Sequence, residues 1–288
     1  MLSSCIVRPS KKASRGESFS PTGSELKDGT SYQKRGYESF KQGKLSWAIA
    51  DYEKAIGLDP DNPRLYVDLA TLYGKQKDPK KMIEICKQGL SHSPNDSKLT
   101  LQLGNAYSAS NLLLQAITTY QKTLALNPME TDAYFNLGIA YSATYNYASA
   151  IKAYDRLLEL KPDDAHALCN LSAVYLEKGQ SKKARENCEK ALKIGSEDAD
   201  AYFNLGLAYY AEQDYQKAID AYQKTIALNP QLDQSYFNLA LVLEKKMQFK
   251  EAVKVWQDFL KITTDEESVK TAVAHIMTIT QEHPMTGH

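Results

Sequence analysis

One stretch of this chain is written twice. Residues 132–162, DAYFNLGIAYSATYNYASAIKAYDRLLELKP, return at 200–230 as DAYFNLGLAYYAEQDYQKAIDAYQKTIALNP, with 17 of 31 positions identical. The offset is 68 residues, and half of it, 34, recurs along the chain. A fixed period of this length means a single small unit used over and over. One such unit cannot bury its own apolar face, so neighbours must stack to make a core.

Counting in 34s from Gly29 gives seven units without insertion or deletion: 29–62, 63–96, 97–130, 131–164, 165–198, 199–232 and 233–266. Each reads as two amphipathic helices. The first carries an apolar residue, then Leu, a small residue and usually Tyr at spacings of 3, 1 and 3, as in Tyr66-Leu69-Ala70-Tyr73, Tyr134-Leu137-Gly138-Tyr141 and Tyr202-Leu205-Gly206-Tyr209. Those spacings fall on one helical face, and the small residue lets a neighbouring helix come close. A break follows, holding Gly43, Asp78-Pro79, Asn146, Gly179 or Asp214. Asp78 before Pro79 is a helix start, a side-chain cap followed by a proline in the first turn. The second helix carries Ala48, Ala116, Ala150, Ala184, Ala218 and Ala252, each followed four residues later by Tyr, Cys or Trp. Pro60, Pro94, Pro128, Pro162 and Pro230 then stop it, since proline cannot continue the backbone ladder. Ser196 and Thr264 replace that proline in the fifth and seventh units, so those ends should be less sharp.

This pattern resembles the tetratricopeptide repeat (TPR) family over residues 29–266. The resemblance implies an all-α fold, a right-handed superhelical solenoid of helix-turn-helix repeats with a concave groove lined by the first helix of each unit. Residues 267–288 are expected to form a terminal helix that caps the stack, with Val269, Val273, Ile276 and Ile279 apolar and Thr264 with Glu267 as a capping box; His283 to His288 should fray. Residues 1–28, rich in Ser, Lys, Gly and Pro, are expected to be disordered.

In the family, positions 2, 5, 6, 9, 12 and 13 of each unit tend to face the groove. Position 6 holds a row of asparagines, Asn136, Asn170, Asn204 and Asn238, each 34 residues from the next. An Asn amide both donates and accepts, so such a row suits the backbone of an extended peptide, as in the asparagine ladder of O-linked GlcNAc transferases; the alternative is that each Asn bonds its neighbouring helix. A second stripe is apolar: Phe135, Ile139, Phe203, Leu207, Tyr210, Phe237 and Leu241. It would receive a partner's side chains, or else pack on adjacent helices. The carboxylate clamp of chaperone-binding members is absent from the central units; only in the outer units do Arg64, Lys75 and Lys98 offer charge.

The functional expectation is a non-catalytic scaffold that holds a peptide or helix of another protein. No nucleophile elbow, phosphate loop or nucleotide fingerprint is present, and the repeats leave no room for a catalytic domain. No cofactor, metal or small-molecule substrate is expected: Cys5, Cys86, Cys169 and Cys188 show no zinc spacing. Lys plus Arg equals Asp plus Glu at 35 each, so no global field draws the chain to nucleic acid. The location expected is the cytoplasm. Leu2-Ser3-Ser4-Cys5 resembles a bacterial lipobox, although the basic and apolar regions that should precede it are absent. It carries an alternative reading: Cys5 lipidated, residues 6–28 a tether, and the chain a periplasmic lipoprotein of a pilus or secretion assembly, anchored at the membrane only through that cysteine.

Overall fold

A computed structural model of the chain describes residues 28–195 and 198–283. Cys5 and its tether, Ser196, and residues 284–288 lie outside the described residues. Among the described residues there are fifteen helices and no strand. The described residues divide into two compact units, one ending at Leu160 and the other beginning at Lys161.

The first unit holds four helix pairs: α1 (Gly29–Lys41) with α2 (Leu45–Leu58), α3 (Pro63–Lys75) with α4 (Pro79–His92), α5 (Ser97–Ala109) with α6 (Leu113–Leu126), and α7 (Thr131–Ala143) with α8 (Tyr147–Leu160). The second holds α9 (Ala165–Glu177) with α10 (Ser181–Lys193), α11 (Ala199–Ala211) with α12 (Tyr215–Leu228), α13 (Asp233–Lys245) with α14 (Phe249–Ile262), and the single helix α15 (Glu266–Glu282). Within each unit, every helix packs on the next along the chain.

The local reasons are legible residue by residue. Helix starts are capped by short acceptors: Asp78 Oδ1 takes the Lys81 amide at 3.1 Å, and Asp96 Oδ1 takes that of Leu99 at 2.8 Å. The second helices end at Leu58, His92, Leu126, Leu160 and Leu228, two residues before each proline, because the residue preceding proline is pushed out of the helical region. The two helices of a pair are joined by one left-handed residue, at Gly43, Lys77, Asn111, Tyr145, Gly179, Gln213 and Met247, with φ between 57° and 76°. Only two of these seven are glycine, so at the others a side chain tolerates a conformation that costs L-residues about 1–2 kcal/mol.

Each pair is locked by complementary sizes. Gly36, Gly104, Gly138 and Gly206 lie against the rings of Tyr52, Tyr120, Tyr154 and Tyr222, so close that an added Cβ would stand 2.6–2.9 Å from the ring. Where the small residue grows to Ala70 or Ser172, the second helix supplies Cys86 or Cys188 instead, all of them buried. The last pair sets Ala240 with Trp256. Burial pushes the Cys86 and Cys188 thiols up to about 12, with desolvation the main cause at both.

The abundance of Tyr over Phe, 19 against 7, has a structural cause. The hydroxyls of Tyr66, Tyr134 and Tyr236 donate to the carbonyls of Pro60, Pro128 and Pro230, just ahead of each first helix. Seven positions further along, Tyr73 and Tyr209 donate to Glu53 and Glu189 on the preceding second helix, at 2.6 and 3.1 Å. A ring can thus be buried while its polar tip is satisfied, which phenylalanine would not need and could not do.

At the end of the second unit α15 packs on α14, burying Ala272 and Ile279. Its cap is Asp265, whose carboxylate accepts the Ser268 amide at 2.8 Å, rather than the expected Thr264–Glu267 box. The Asp265 carboxylate, one residue later, accepts three residues ahead and sets the helix start at Glu266. His283, expected to fray, stacks on Phe249 with ring centroids 3.9 Å apart. Glu244 of α13 ties the three final helices together: it accepts from Trp256 Nε1 at 2.6 Å and pairs with His275 Nδ1 at 3.0 Å, while the His275 ring stacks on Trp256.

Candidate functional site

The first helices inside each unit are covered on most of their circumference. In α11 the buried residues are Ala201, Asn204, Leu205, Gly206 and Ala208; in α13 they are Ser235, Leu239, Ala240, Val242 and Leu243. What stays open is a stripe one helical face wide. In the second unit it carries Phe203, Leu207 and Tyr210 on α11 and Phe237 and Leu241 on α13, all half-buried at the edge of the same core cluster.

The aromatic members have one edge in the core. Phe237 stands edge-on to Trp256 at 5.0 Å and to Phe259 at 5.6 Å between centroids. Phe203 leans on Tyr222 at 6.0 Å, and Tyr210 on Tyr215 at 5.9 Å. Core contact fixes their rotamers, so the open edge is presented without further ordering cost. In the first unit α7 carries the matching residues: Phe135 lies edge-on to Tyr154 at 6.2 Å, and Ile139 is 41% exposed.

The asparagine row does not behave uniformly. Asn136 Nδ2 donates to Asn105 Oδ1 at 2.9 Å, and Asn105 Oδ1 also accepts from the Tyr120 hydroxyl. Asn204 is only 8% exposed; its Nδ2 donates to the Cys169 carbonyl at 3.3 Å and to Ser172 Oγ at 3.2 Å. In both, the amide reaches back to the preceding first helix. Asn170 and Asn238 are half-buried, and no side-chain hydrogen bond is formed by either among the described residues. Asn105 belongs to this network yet lies outside the 34-residue row, so the periodicity had no means of pointing to it.

Behind the stripe the floor is apolar, with Ile219, Tyr222, Trp256 and Phe259 buried, and that burial raises the Tyr222 phenol well above its ordinary value. The arrangement supplies fixed aromatic edges, aliphatic side chains and two unpartnered amides.

Models of the tetratricopeptide repeat match residues 63–96, 101–165, 153–186 and 199–232, and a TPR repeat model matches 36–77 and 173–213. No curated protein matches the sequence. Among solved structures the chain is similar to MamA, at 28% identity over 55% of this chain and 93% of that one, with a TM-score of 0.52. It is also similar to YrrB, described as a TPR protein with an unusual peptide-binding site, at 19% identity over 66% of this chain and 97% of that one (TM-score 0.56). A third is PilW, described as a type IV pilus biogenesis factor, at 21% identity over 75% and 98% of the two chains (TM-score 0.64).

Proposed function

Because this chain belongs to the tetratricopeptide repeat family, we propose that it is a protein-interaction scaffold whose open first-helix stripe binds a short segment of another protein. One observation carries the reading. In the second unit Phe203, Leu207, Tyr210, Phe237 and Leu241 share one open stripe, with their rings fixed from behind.

Magnitudes decide which part of the stripe does the binding. Even four asparagines making two hydrogen bonds each would supply roughly 4–8 kcal/mol. Losing rigid-body freedom costs about 4–15 kcal/mol. With Asn136 and Asn204 spent on neighbouring helices, the apolar residues must supply most of the affinity. Covering the open edges of two or three of them, at about 1–2 kcal/mol each, brings binding into the micromolar range. The segment that fits is therefore one with apolar anchors, its backbone met by Asn170 and Asn238. Phe135 and Ile139 of the first unit offer the same chemistry on α7.

The test is a selection from a random peptide library on the immobilised full chain, followed by titration of the enriched peptides. Enriched sequences should carry spaced aromatic or aliphatic residues, and the variant Leu207→Ser/Leu241→Ser should bind them about tenfold more weakly while melting cooperatively. Enrichment of peptides without apolar anchors, or unchanged affinity in that variant, would remove the stripe as the site.

A further inference from the structure

Charge in the first unit is sorted by the end of the helices at which it stands. Three residues join the two helices of a pair and four join one pair to the next, so the chain reverses at every connection. The turns inside pairs therefore gather at one edge, and the connections between pairs at the other. Take each connection with the first three residues of the helix that follows. At the turns, 42–47, 76–81, 110–115 and 144–149 hold Lys44, Lys77, Lys80 and Lys81 against Asp78. At the other edge, 59–65, 93–99 and 127–133 hold Asp59, Asp61, Asp96, Glu130 and Asp132 against Arg64 and Lys98. One edge is basic and the other acidic.

The basic edge also exposes apolar side chains that the core does not use. Leu114 is 74% exposed and Tyr145 76%, with Leu112 exposed beside them. They stand at the turns of the third and fourth pairs, and Lys77, Lys80 and Lys81 at the turn of the second. These turns are neighbours, because α3 packs on α5 and α5 on α7. Elsewhere the place of Leu114 is taken by Lys80, Gln216 or Lys250, and that of Tyr145 by Lys77, Asn111 or Gln213. Tyr145 is the left-handed residue of its turn, with φ 60° and its ring edge-on to Tyr147 at 6.2 Å. That conformation favours glycine or asparagine, so no local preference accounts for a ring there.

The cations of this edge are uncompensated. Lys44, Lys77, Lys80 and Lys81 are exposed, and among the described residues none of them forms an ion pair. Two rest over rings instead, Lys44 Nζ 5.2 Å from the centre of Trp47 and Lys81 Nζ 5.3 Å from that of Tyr73. The acid among them, Asp78, is engaged as a helix cap by the Lys81 amide at 3.1 Å. Long stems over apolar surface with free ammonium tips suit a boundary between water and an apolar phase.

We propose that the turn edge of the first unit docks on the surface of an anionic lipid bilayer. Leu112, Leu114 and Tyr145 enter the headgroup region, and Lys77, Lys80 and Lys81 meet the lipid phosphates beside them. Neighbouring helices lie about 10 Å apart, so the three turns span roughly 20 Å, a short stretch against a flat membrane. Charge alone would also admit an acidic protein or a nucleic acid; the apolar tips decide between them. A bilayer takes exposed apolar tips without a matching pocket, and a tyrosine suits its interface because the ring is apolar and the hydroxyl wet. A nucleic-acid backbone offers Leu112 and Leu114 nothing. The acidic edge at the opposite ends of the helices is repelled, which fixes the orientation of the unit. Among the described residues no helix is long and apolar enough to cross a membrane, so this contact is made at the surface. It lies at the turns, apart from the apolar stripe, and goes beyond the function proposed above.

The experiment is vesicle co-sedimentation of the full chain carrying Cys5→Ser, so that no acyl chain at that residue contributes. The vesicles are phosphatidylcholine alone or with about one-third phosphatidylserine, and soluble polyglutamate at matched charge is the competitor. The chain should bind the anionic vesicles at least about tenfold more tightly at low ionic strength, and lose most of that advantage between about 50 and 200 mM salt. Two variants use only residues already found at equivalent turns, so both should melt as the parent does. Lys77→Gln/Lys80→Gln/Lys81→Gln copies Gln213, Gln216 and Gln115, and Leu114→Gln/Tyr145→Asn copies Gln216 and Asn111. Each should weaken binding to the anionic vesicles about tenfold. Leu207→Ser/Leu241→Ser should leave it intact, which separates this edge from the apolar stripe. Equal binding to the two vesicles, an unchanged affinity in either turn variant, or full displacement by polyglutamate would each overturn the proposal, the last by making a soluble polyanion the ligand.

Discussion

In the first unit the rings of Tyr120 and Tyr154 lie against Gly104 and Gly138; in the second the ring of Tyr222 lies against Gly206 at the same close range. The interior of the two units is one device repeated. Outside it they part company. The open face of α3 shows Arg64, Val67, Asp68 and Lys75, whereas that of α11 shows Phe203, Leu207 and Tyr210 at equivalent turns. Packing constrains the buried side of each helix to a few sizes, because interiors are close-packed and sensitive to single methylene groups. The open side is under no such constraint, so that is where the units differ.

The sharpest way to break this comparison is at the shared device. Gly138→Leu in the first unit and Gly206→Leu in the second should each lose at least about 1–3 kcal/mol, read as a lowered melting midpoint. Equal losses would show the locks to be interchangeable; a wild-type midpoint for either would remove the equivalence. A double substitution sharpens it further. Gly138→Ala with Tyr154→Cys rebuilds the combination found at Ala70 and Cys86, so the pair should cost less than the sum of its singles.

Next comes an interaction found, among the described residues, in the second unit and not in the first. Glu244→Ala leaves the buried Trp256 N–H without its acceptor and releases His275, at a cost of about 1–3 kcal/mol. The same change at Glu53, in the first unit, frees only the Tyr73 hydroxyl and should cost less. Hydrogen exchange in α15 should quicken in the first variant and not in the second.

The two units should respond together to base. Folding holds Cys86 of the first unit and Cys188 of the second up to about 12, against an ordinary value of 9.0. Burial likewise raises Tyr52, Tyr73, Tyr120 and Tyr222 above 10.0. For every one of them the folded state binds the proton more tightly than the unfolded state. Their contribution is therefore complete below pH 9 and is lost as pH rises through the folded values. Denaturant titrations should give a flat stability from neutrality to about pH 9 and a steady fall beyond it. A fall beginning near neutrality would contradict this assignment.

Smaller effects lie at the turns and at one orphan hydroxyl. Tyr145→Gly and Met247→Gly, one in each unit, relieve a left-handed backbone and should gain up to about 1 kcal/mol. Ser235 is buried with its hydroxyl unpaired, where Ala133, Ala167 and Ala201 occupy the equivalent turns. Ser235→Ala should be neutral or slightly stabilising, by less than about 1 kcal/mol.

The same residues show how far the sequence could be read. The Gly–Tyr spacing and the prolines are periodic and chemically distinctive, so the helix pairs and their packing faces could be placed from them. The left-handed turn was visible at Gly43 and Gly179 but not at Lys77, Tyr145 or Met247, whose side chains carry no signal for that conformation. The Asp265 cap was missed because Thr264 and Glu267 offered an equally good pattern one residue earlier. In the candidate site, periodicity aligned the four asparagines but could not say where each amide points. That depends on the neighbouring helix: Asn204 meets Cys169 and Ser172, while Asn238 meets no such partner among the described residues. The sorting of charge between the two ends of the helices in the first unit was hidden in a balanced total.

The proposed scaffold role requires partners to bind the open side of the first helices. Hydrogen–deuterium exchange of the full chain, with and without a peptide recovered from the library selection, reads this directly. Exchange should slow across α11 and α13, at residues 199–211 and 233–245, with α12 and α14 unchanged. Protection confined to α12 and α14 would contradict it and move the site to the second helices.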